Sequence, residues 1–203
     1  MMRIKRLVIG STNPGKIKEW KLLLGKFPLV SVKELGSFPE PEETGKTFAE
    51  NARIKASHYA RLTKEYVYSE DGGYEVEALG GLPGVKSRRI LPGGKDGTDQ
   101  QLIQFILKKL KGVPLKKRIV RLSFAAAVSD PKGNIIFEDS NSFLGTVSEK
   151  PGPVRIPGYP FRTIHLISEL GKTYAELTEE EHEKYNHKKP VAKRLAKFLL
   201  EYK

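Results

Sequence analysis

The chain has 203 residues, 38% of them hydrophobic, which is sufficient for a real core in one compact α/β domain or in two lobes sharing a sheet. Thirty-six Lys and Arg against 24 Asp and Glu give a net charge of +12 and a sequence pI near 9.7, a balance that favours anionic partners such as nucleotides, nucleic acid or an acidic surface without choosing among them. Cysteine is absent, which excludes disulfides, thiolate catalysis and cysteine-ligated zinc.

At the N-terminus, Arg3, Lys5 and Arg6 precede only Leu7-Val8-Ile9 before Gly10, too short for a signal-peptide apolar region. No later apolar run reaches membrane-spanning length, so the expectation is a soluble cytoplasmic protein with no membrane partner. Leu7-Val8-Ile9 reads as a strand, and Ser11-Thr12-Asn13-Pro14-Gly15-Lys16 supplies turn chemistry. Residues 16–24 follow with Ile17, Trp20 and Leu24 at helical spacing. Backbone amides at such a helix start, aided by Lys16, can hold an anion, although Asn-Pro-Gly is equally an ordinary turn.

Leu29 to Val32 alternates as a second strand, and the stretch from there to Pro41 reads as loop. A helix is predicted over Thr44 to Ala60, with Thr44 or Thr47 as cap and three acids, Glu40, Glu42 and Glu43, just before it. Those acids alone read as a solvated loop complementing the helix dipole. Tyr66-Val67-Tyr68 is a short β-prone run, and Glu70-Asp71-Gly72-Gly73 after it predicts two adjacent acids on a tight turn at a strand's end, where acids face a ligand more often than a core. Carboxylates for a hard cation and a turn for phosphates together point to a metal-phosphate site.

Gly80 to Val85 is a glycine-rich turn entering the basic run Lys86-Ser87-Arg88-Arg89, and residues 92–98 read as loop. Thr98 caps a predicted helix over Asp99 to Lys111. Arg118 to Val128 reads as a long strand, Asp130 to Asn134 as a turn, Ile135 to Glu138 as its antiparallel return and Ser142 to Val147 as a further strand. Residues 150–162 are proline- and glycine-rich loop; Leu177 to Glu183 starts a short acidic helix with Thr178 as cap; Pro190 to Tyr202 is an amphipathic last helix. A hairpin set among strand-helix units implies a mixed sheet, and with no separating linker residues 1–203 read as one domain.

Four segments in order carry a family resemblance: Thr12-Asn13-Pro14-Gly15-Lys16 with Glu19 (T-N-x-x-K-x-x-E), Glu42 to Ala56 (E-E-T-G-x-T-F-x-E-N-A-x-x-K-A), Glu75 to Val85, and Lys172-Thr173-Tyr174-Ala175-Glu176-Leu177 (K-T-x-A-E-L). Over nearly its whole length the chain resembles the inosine triphosphate pyrophosphatase family, house-cleaning enzymes that hydrolyse non-standard purine triphosphates. The resemblance implies an α/β fold of two lobes around a long mixed sheet flanked by helices, with the nucleotide in a cleft between them, commonly as a homodimer. It implies release of pyrophosphate from a nucleoside triphosphate, with magnesium required. By position it makes Glu43 and Asp71 metal ligands, gives Glu70 or Asp71 the water, and turns Ser11, Thr12, Asn13, Lys16 and Lys55 toward the phosphates.

The acid turn departs from the family, and the base-binding segments depart further. Where relatives have D-D-S-G, the chain has Glu70-Asp71-Gly72-Gly73. Where they have G-G-F-G-Y-D-P, it has Arg155-Ile156-Pro157-Gly158-Tyr159-Pro160-Phe161, with Pro157 in place of the base-stacking Phe. Where they have K-N-x-x-S-H-R, it has His182 to Lys188, keeping His187 and exchanging Arg for Lys188. That leaves Tyr159, His187 and Lys188 as base-binding candidates, while His58, His165 and His182 read as structural or surface residues. The alternatives are a nucleotide- or RNA-binding protein on the same fold with weak or lost catalysis, and a pyrophosphatase of a different modified nucleotide.

Overall fold

The computed structural model describes residues 4–94 and 96–202, so Arg3 and Lys95, which the sequence reading placed in the N-terminal basic segment and the 92–98 loop, lie outside the described residues. In chain order the elements are β1 (Leu7–Ile9), α1 (Pro14–Leu23), β2 (Leu29–Ser31), α2 (Val32–Leu35), α3 (Phe48–Thr63), β3 (Val67–Val76), α4 (Asp99–Lys109), β4 (Ile119–Ser129), β5 (Ile135–Val147), β6 (His165–Ile167), β7 (Lys172–Thr173), α5 (Glu179–Tyr185) and α6 (Lys189–Glu201). The strands form one sheet in the order β2-β1-β3-β4-β5-β6-β7. β1 pairs in parallel with β2 and β3, and β6 pairs antiparallel with β5 and β7, so the sheet is mixed as expected. A turn closed by Asp130 and Asn134 joins β4 to its neighbour β5, a connection short enough only for antiparallel strands.

The chain divides into two compact units. The first comprises Met1–Asp71, Phe124–Asn141 and His187–Lys203, the second Gly72–Ser123 and Ser142–Asn186. In the first unit the two-residue period of the strands sorts side chains onto two faces. Leu7 and Ile9 of β1, Tyr68 of β3 and Ala126 and Val128 of β4 share a buried cluster with Trp20 of α1 and Val191, Leu195 and Leu199 of α6. The alternate residues Val8 and Val67 pack with Tyr59 and Ala60 of α3, and Ala127 packs with Ala52 and Ala56. In the second unit Leu102, Ile103 and Ile106 of α4 pack against Tyr74, Val76, Val120, Val147, Phe161 and Ile164.

Several expectations are corrected. Glu70 and Asp71 do not sit on a tight turn: β3 runs unbroken from Val67 through both acids and Gly72-Gly73 to Val76. Val67, Tyr68, Ser69, Glu70 and Asp71 are all buried, and continued pairing satisfies backbone groups that water could not reach. Val32 leaves the second strand and opens α2, because Ser31 and Glu34 form a capping box across it, and the expected loop to Pro41 therefore begins with a helical turn. Thr47, not Thr44, caps the third helix, so residues 44–47 remain outside it. The predicted return strand and the strand after it are one, β5, in which Asp139-Ser140-Asn141 continues a regular inside-outside alternation. β6 and β7 were not anticipated, being too short to show a period. Among the described residues, no helix is long and apolar enough to cross a membrane.

Leu195 is fully buried at the centre of the α6 stripe. Leu195→Ala is expected to lower the unfolding free energy by about 2–5 kcal/mol, read as a lower urea midpoint with an unchanged slope.

Candidate active site

The period of β3 sends its two acids to different environments. Glu70 lies on the Tyr68 face, and both of its oxygens are occupied. The Trp20 indole donates to Oε2 at 2.6 Å and the Tyr68 hydroxyl to the same oxygen at 3.1 Å. Lys188 Nζ donates to Oε1 at 2.7 Å, and Lys16 Nζ stands 3.6 Å from it. Lys188 also donates to Glu19 Oε2 at 2.9 Å. Lys188 and Glu70 are both buried. Burial alone would raise the Glu70 pKa, but the Lys188 and Lys16 charges overcome it and hold the carboxyl at about 2.

Asp71 points to the opposite face and meets α3. Asn51 Nδ2 donates to Asp71 Oδ2 at 3.1 Å, and Lys55 Nζ bridges Asp71 Oδ1 at 3.2 Å and Glu43 Oε1 at 3.0 Å. The sequence builds this cluster locally. Thr47 and Glu50 form the capping box of α3, with Glu50 also accepting from the Lys46 amide, and Asn51 Oδ1 accepts from the Gly45 amide at 2.8 Å. The segment bearing Glu43 is thereby pinned to the first turn of α3, one turn from Lys55. Gly45 is required for this approach, since a Cβ there would lie 2.5 Å from Asn51 Oδ1 and 2.9 Å from the Asn51 amide nitrogen.

The loop after β1 is shaped by its own side chains. Asn13 caps α1, its Oδ1 accepting from the Gly15 and Lys16 amides, while Ser11 Oγ accepts from the Asn13 amide. Lys16 in the first turn of α1 is pulled below its ordinary pKa chiefly by burial, with Glu70 opposing. Lys55 is also penalised by burial, yet Asp71 and Glu43 hold it above its ordinary value. Beside Thr12 a surface groove of about 520 Å³ runs over Pro14, Ile17, Lys21, Leu22 and Lys33, none of which belongs to the acid cluster.

The structure therefore brings Lys16, Glu43, Lys55, Glu70, Asp71 and Lys188 of the predicted site into one charged assembly within the first unit, with Ser11, Thr12 and Asn13 forming the loop that leads into α1. His187, in the same unit, is buried, its ring edge-on to Phe124 at 5.3 Å and its carbonyl accepting from Asn141. Tyr159 belongs to the second unit, where the Arg162 guanidinium stacks 3.9 Å from its ring centre. Trp20, Glu19 and Asn51 also belong to the assembly, although Trp20 reads from the sequence only as part of a helical stripe and Glu19 and Asn51 only as motif positions. Helical spacing carried the signal: Glu19 and Trp20 lie three and four residues after Lys16, and Lys55 lies four after Asn51. Among the described residues no group of three or more His, Asp or Glu side chains converges to hold a metal. Glu43 and Asp71 do converge on one cationic atom, the Lys55 ammonium, and such a pair fits a divalent cation that completes its shell with water and phosphate oxygens.

Residues 7–198 match the model of the Ham1 family. The chain belongs to the Ham1 family. It is 36% identical over 201 residues to a dITP/XTP pyrophosphatase of Bacillus subtilis, spanning 98% of this chain and 99% of the relative. It is 38% identical over 189 residues to a dITP/XTP pyrophosphatase of Geobacillus kaustophilus, spanning 91% and 89% of the two chains. A solved Ham1 structure from Coxiella burnetii superposes with a TM-score of 0.83 at 29% identity, over 97% of this chain and 98% of that one. The Ham1 relatives thus share both the length and the fold of this protein.

Because the Glu70 pKa falls from an ordinary 4.5 to about 2 on folding, its contribution to stability is complete above pH 4.5 and is lost as pH falls toward 2. Glu70→Gln should remove an acid-sensitive component of about 3 kcal/mol from that window, measured by urea unfolding of both proteins between pH 2 and 6.

Proposed function

We propose that this Ham1 protein clears non-canonical purine nucleoside triphosphates, such as the dITP and XTP named for its relatives, by hydrolysing them to the monophosphate and pyrophosphate with magnesium. The observation that carries the site assignment is the convergence of Glu43 and Asp71 on one cation position, beside a capped helix start bearing Lys16. Glu43 and Asp71 would hold the metal, which when bound offsets the negative charge that shields the α-phosphorus from water. Asp71 is steadied by Asn51 at Oδ2, which fixes its orientation for lining up the attacking water. Glu70, with donors on both oxygens and a pKa of about 2, is a poor proton acceptor at neutral pH, and its part is to anchor Lys16 and Lys188. Lys16 and Lys55 supply positive charge to the departing pyrophosphate, while Ser11 and Thr12, in the loop before the Asn13 cap, face the phosphates. The reading carries with it the homodimer that the family resemblance implies, of single-domain chains in the cytoplasm.

The family resemblance makes Tyr159, His187 and Lys188 each a base-binding candidate. Lys188 is committed to Glu70 and Glu19, and a lysine lacks the planar fork with which an arginine grips a carbonyl edge. His187 packs on Phe124. Hydrogen-bonded readout of the base is therefore reduced relative to the family pattern, and shape alone discriminates by only about 1–3 kcal/mol.

The test of function is product analysis with dITP, XTP, ITP and the standard purine triphosphates. Pyrophosphate and monophosphate in equal amounts, dependent on magnesium, are expected; orthophosphate as the product, or no turnover of any of them, would overturn the reading. Asp71→Asn should lower kcat at saturating magnesium at least about a hundredfold while the circular dichroism of the folded protein is unchanged. In the same assay the kcat/KM preference for inosine over adenosine triphosphate should stay below about a hundredfold, equivalent to roughly 2.7 kcal/mol.

A further inference from the structure

We infer that Lys55 is a displaceable occupant of the cation position, so that cation binding and triphosphate binding are coupled through the movement of one ammonium group. The inference rests on the assignment of Glu43 and Asp71 as the metal-holding pair. Lys55 Nζ takes a carboxylate oxygen from each, at 3.0 and 3.2 Å, and the Lys55 side chain is only 11% exposed. A divalent ion entering between the same two oxygens would stand within about 3 Å of a like-charged ammonium, a repulsion too strong to leave both in place at low local dielectric. The ion therefore has to expel Lys55.

Where the ammonium goes is constrained by its surroundings. A lysine this buried cannot remain charged without an anion, because the desolvation cost of an unpaired charge is several kcal/mol. Glu70, the other buried acid of the assembly, already accepts from Lys188, Trp20 and Tyr68, with Lys16 beside it. The triphosphate brings the missing negative charge, and the four-carbon stem of Lys55 on α3 gives the ammonium freedom to turn toward it. Each ligand then relieves the penalty imposed by the other: the cation frees Lys55 for the phosphates, and the phosphates take up the Lys55 that the cation has expelled. Such reciprocal coupling typically amounts to about 5–150-fold in affinity. A Lys55 that merely braced the site would behave in the opposite way, since its removal would loosen Glu43 and Asp71 and weaken cation binding.

The experiment titrates the protein with Mn2+ alone, followed by electron paramagnetic resonance, and repeats the titration with a non-hydrolysable inosine triphosphate analogue. Wild type should bind Mn2+ weakly alone and about 5–150-fold more tightly with the analogue. Lys55→Met should bind Mn2+ alone more tightly than wild type, and the enhancement by the analogue should be smaller than in wild type, leaving only the part that comes from phosphate oxygens on the ion itself. Unchanged or weaker Mn2+ binding by Lys55→Met, with Asp71→Asn abolishing binding, would overturn the displacement and leave the two-carboxylate site standing. Mn2+ binding retained by Asp71→Asn would overturn the site assignment, and the inference with it. Should Lys55→Met not fold, a crystal structure of the wild type with Mn2+ and the analogue decides: Lys55 Nζ is expected away from both carboxylates, and Nζ still bridging Glu43 and Asp71 would overturn the inference.

Discussion

Adjacent residues of a strand face opposite ways, and in β3 the two residues concerned are buried acids. A buried carboxylate costs several kcal/mol in lost hydration unless cations and hydrogen bonds replace the water, and removing one partner of such a pair leaves a penalty of about 3–5 kcal/mol. Glu70 and Asp71 each need a set of donors, and because they diverge they cannot share one. Glu70 draws on Trp20 and Lys16 of α1 and on Lys188 at the start of α6; Asp71 draws on Asn51 and Lys55 of α3. The positions of three helices on the two faces of the first unit thus follow from one electrostatic requirement as much as from the apolar stripes that accompany it.

The apolar alternation and the polar requirement agree along β3, which is why the arrangement is self-consistent. Tyr68 and Glu70 share a face with Trp20, which packs its ring 4.4 Å from Tyr68 while its N–H reaches Glu70. A buried indole needs a partner for that N–H, and Glu70 supplies it. Val67 on the other face packs with the α3 residues Tyr59 and Ala60, on the same helix as Lys55.

Helices and their caps were legible in the sequence wherever a hydroxyl residue preceded a helical apolar stripe, as at Thr98 and Thr178, both of which cap with full boxes. The segments from Thr12 to Glu19 and from Glu42 to Ala56 led directly to Lys16, Glu43 and Lys55. What failed at β3 was a local rule: two acids followed by two glycines carry every mark of a turn. Donors that let the two acids be buried within the strand, Lys188 and Asn51, stand 118 residues after Glu70 and 20 before Asp71. No window of local sequence contains them. The break predicted within β5 failed for a related reason, since Asp139 is polar in sequence but tied to Arg194 of α6 in the fold.

Lys188 shows how a departure from the family pattern can be absorbed. An arginine at this position presents a flat, five-donor fork suited to a carbonyl or carboxylate edge, whereas a lysine ammonium is a compact point donor. With Lys188 held between Glu19 and Glu70, a compact donor matches two acids that approach from different elements, one on α1 and one on β3. In this chain the residue at position 188 serves as a carboxylate anchor. The assembly as a whole then contains three lysines, Lys16, Lys55 and Lys188, against four acids, Glu19, Glu43, Glu70 and Asp71, and is close to neutral although the chain carries +12. Close balance is what a site must have if it is to take up a divalent cation and a polyanion together: excess positive charge would repel the first and excess negative charge the second.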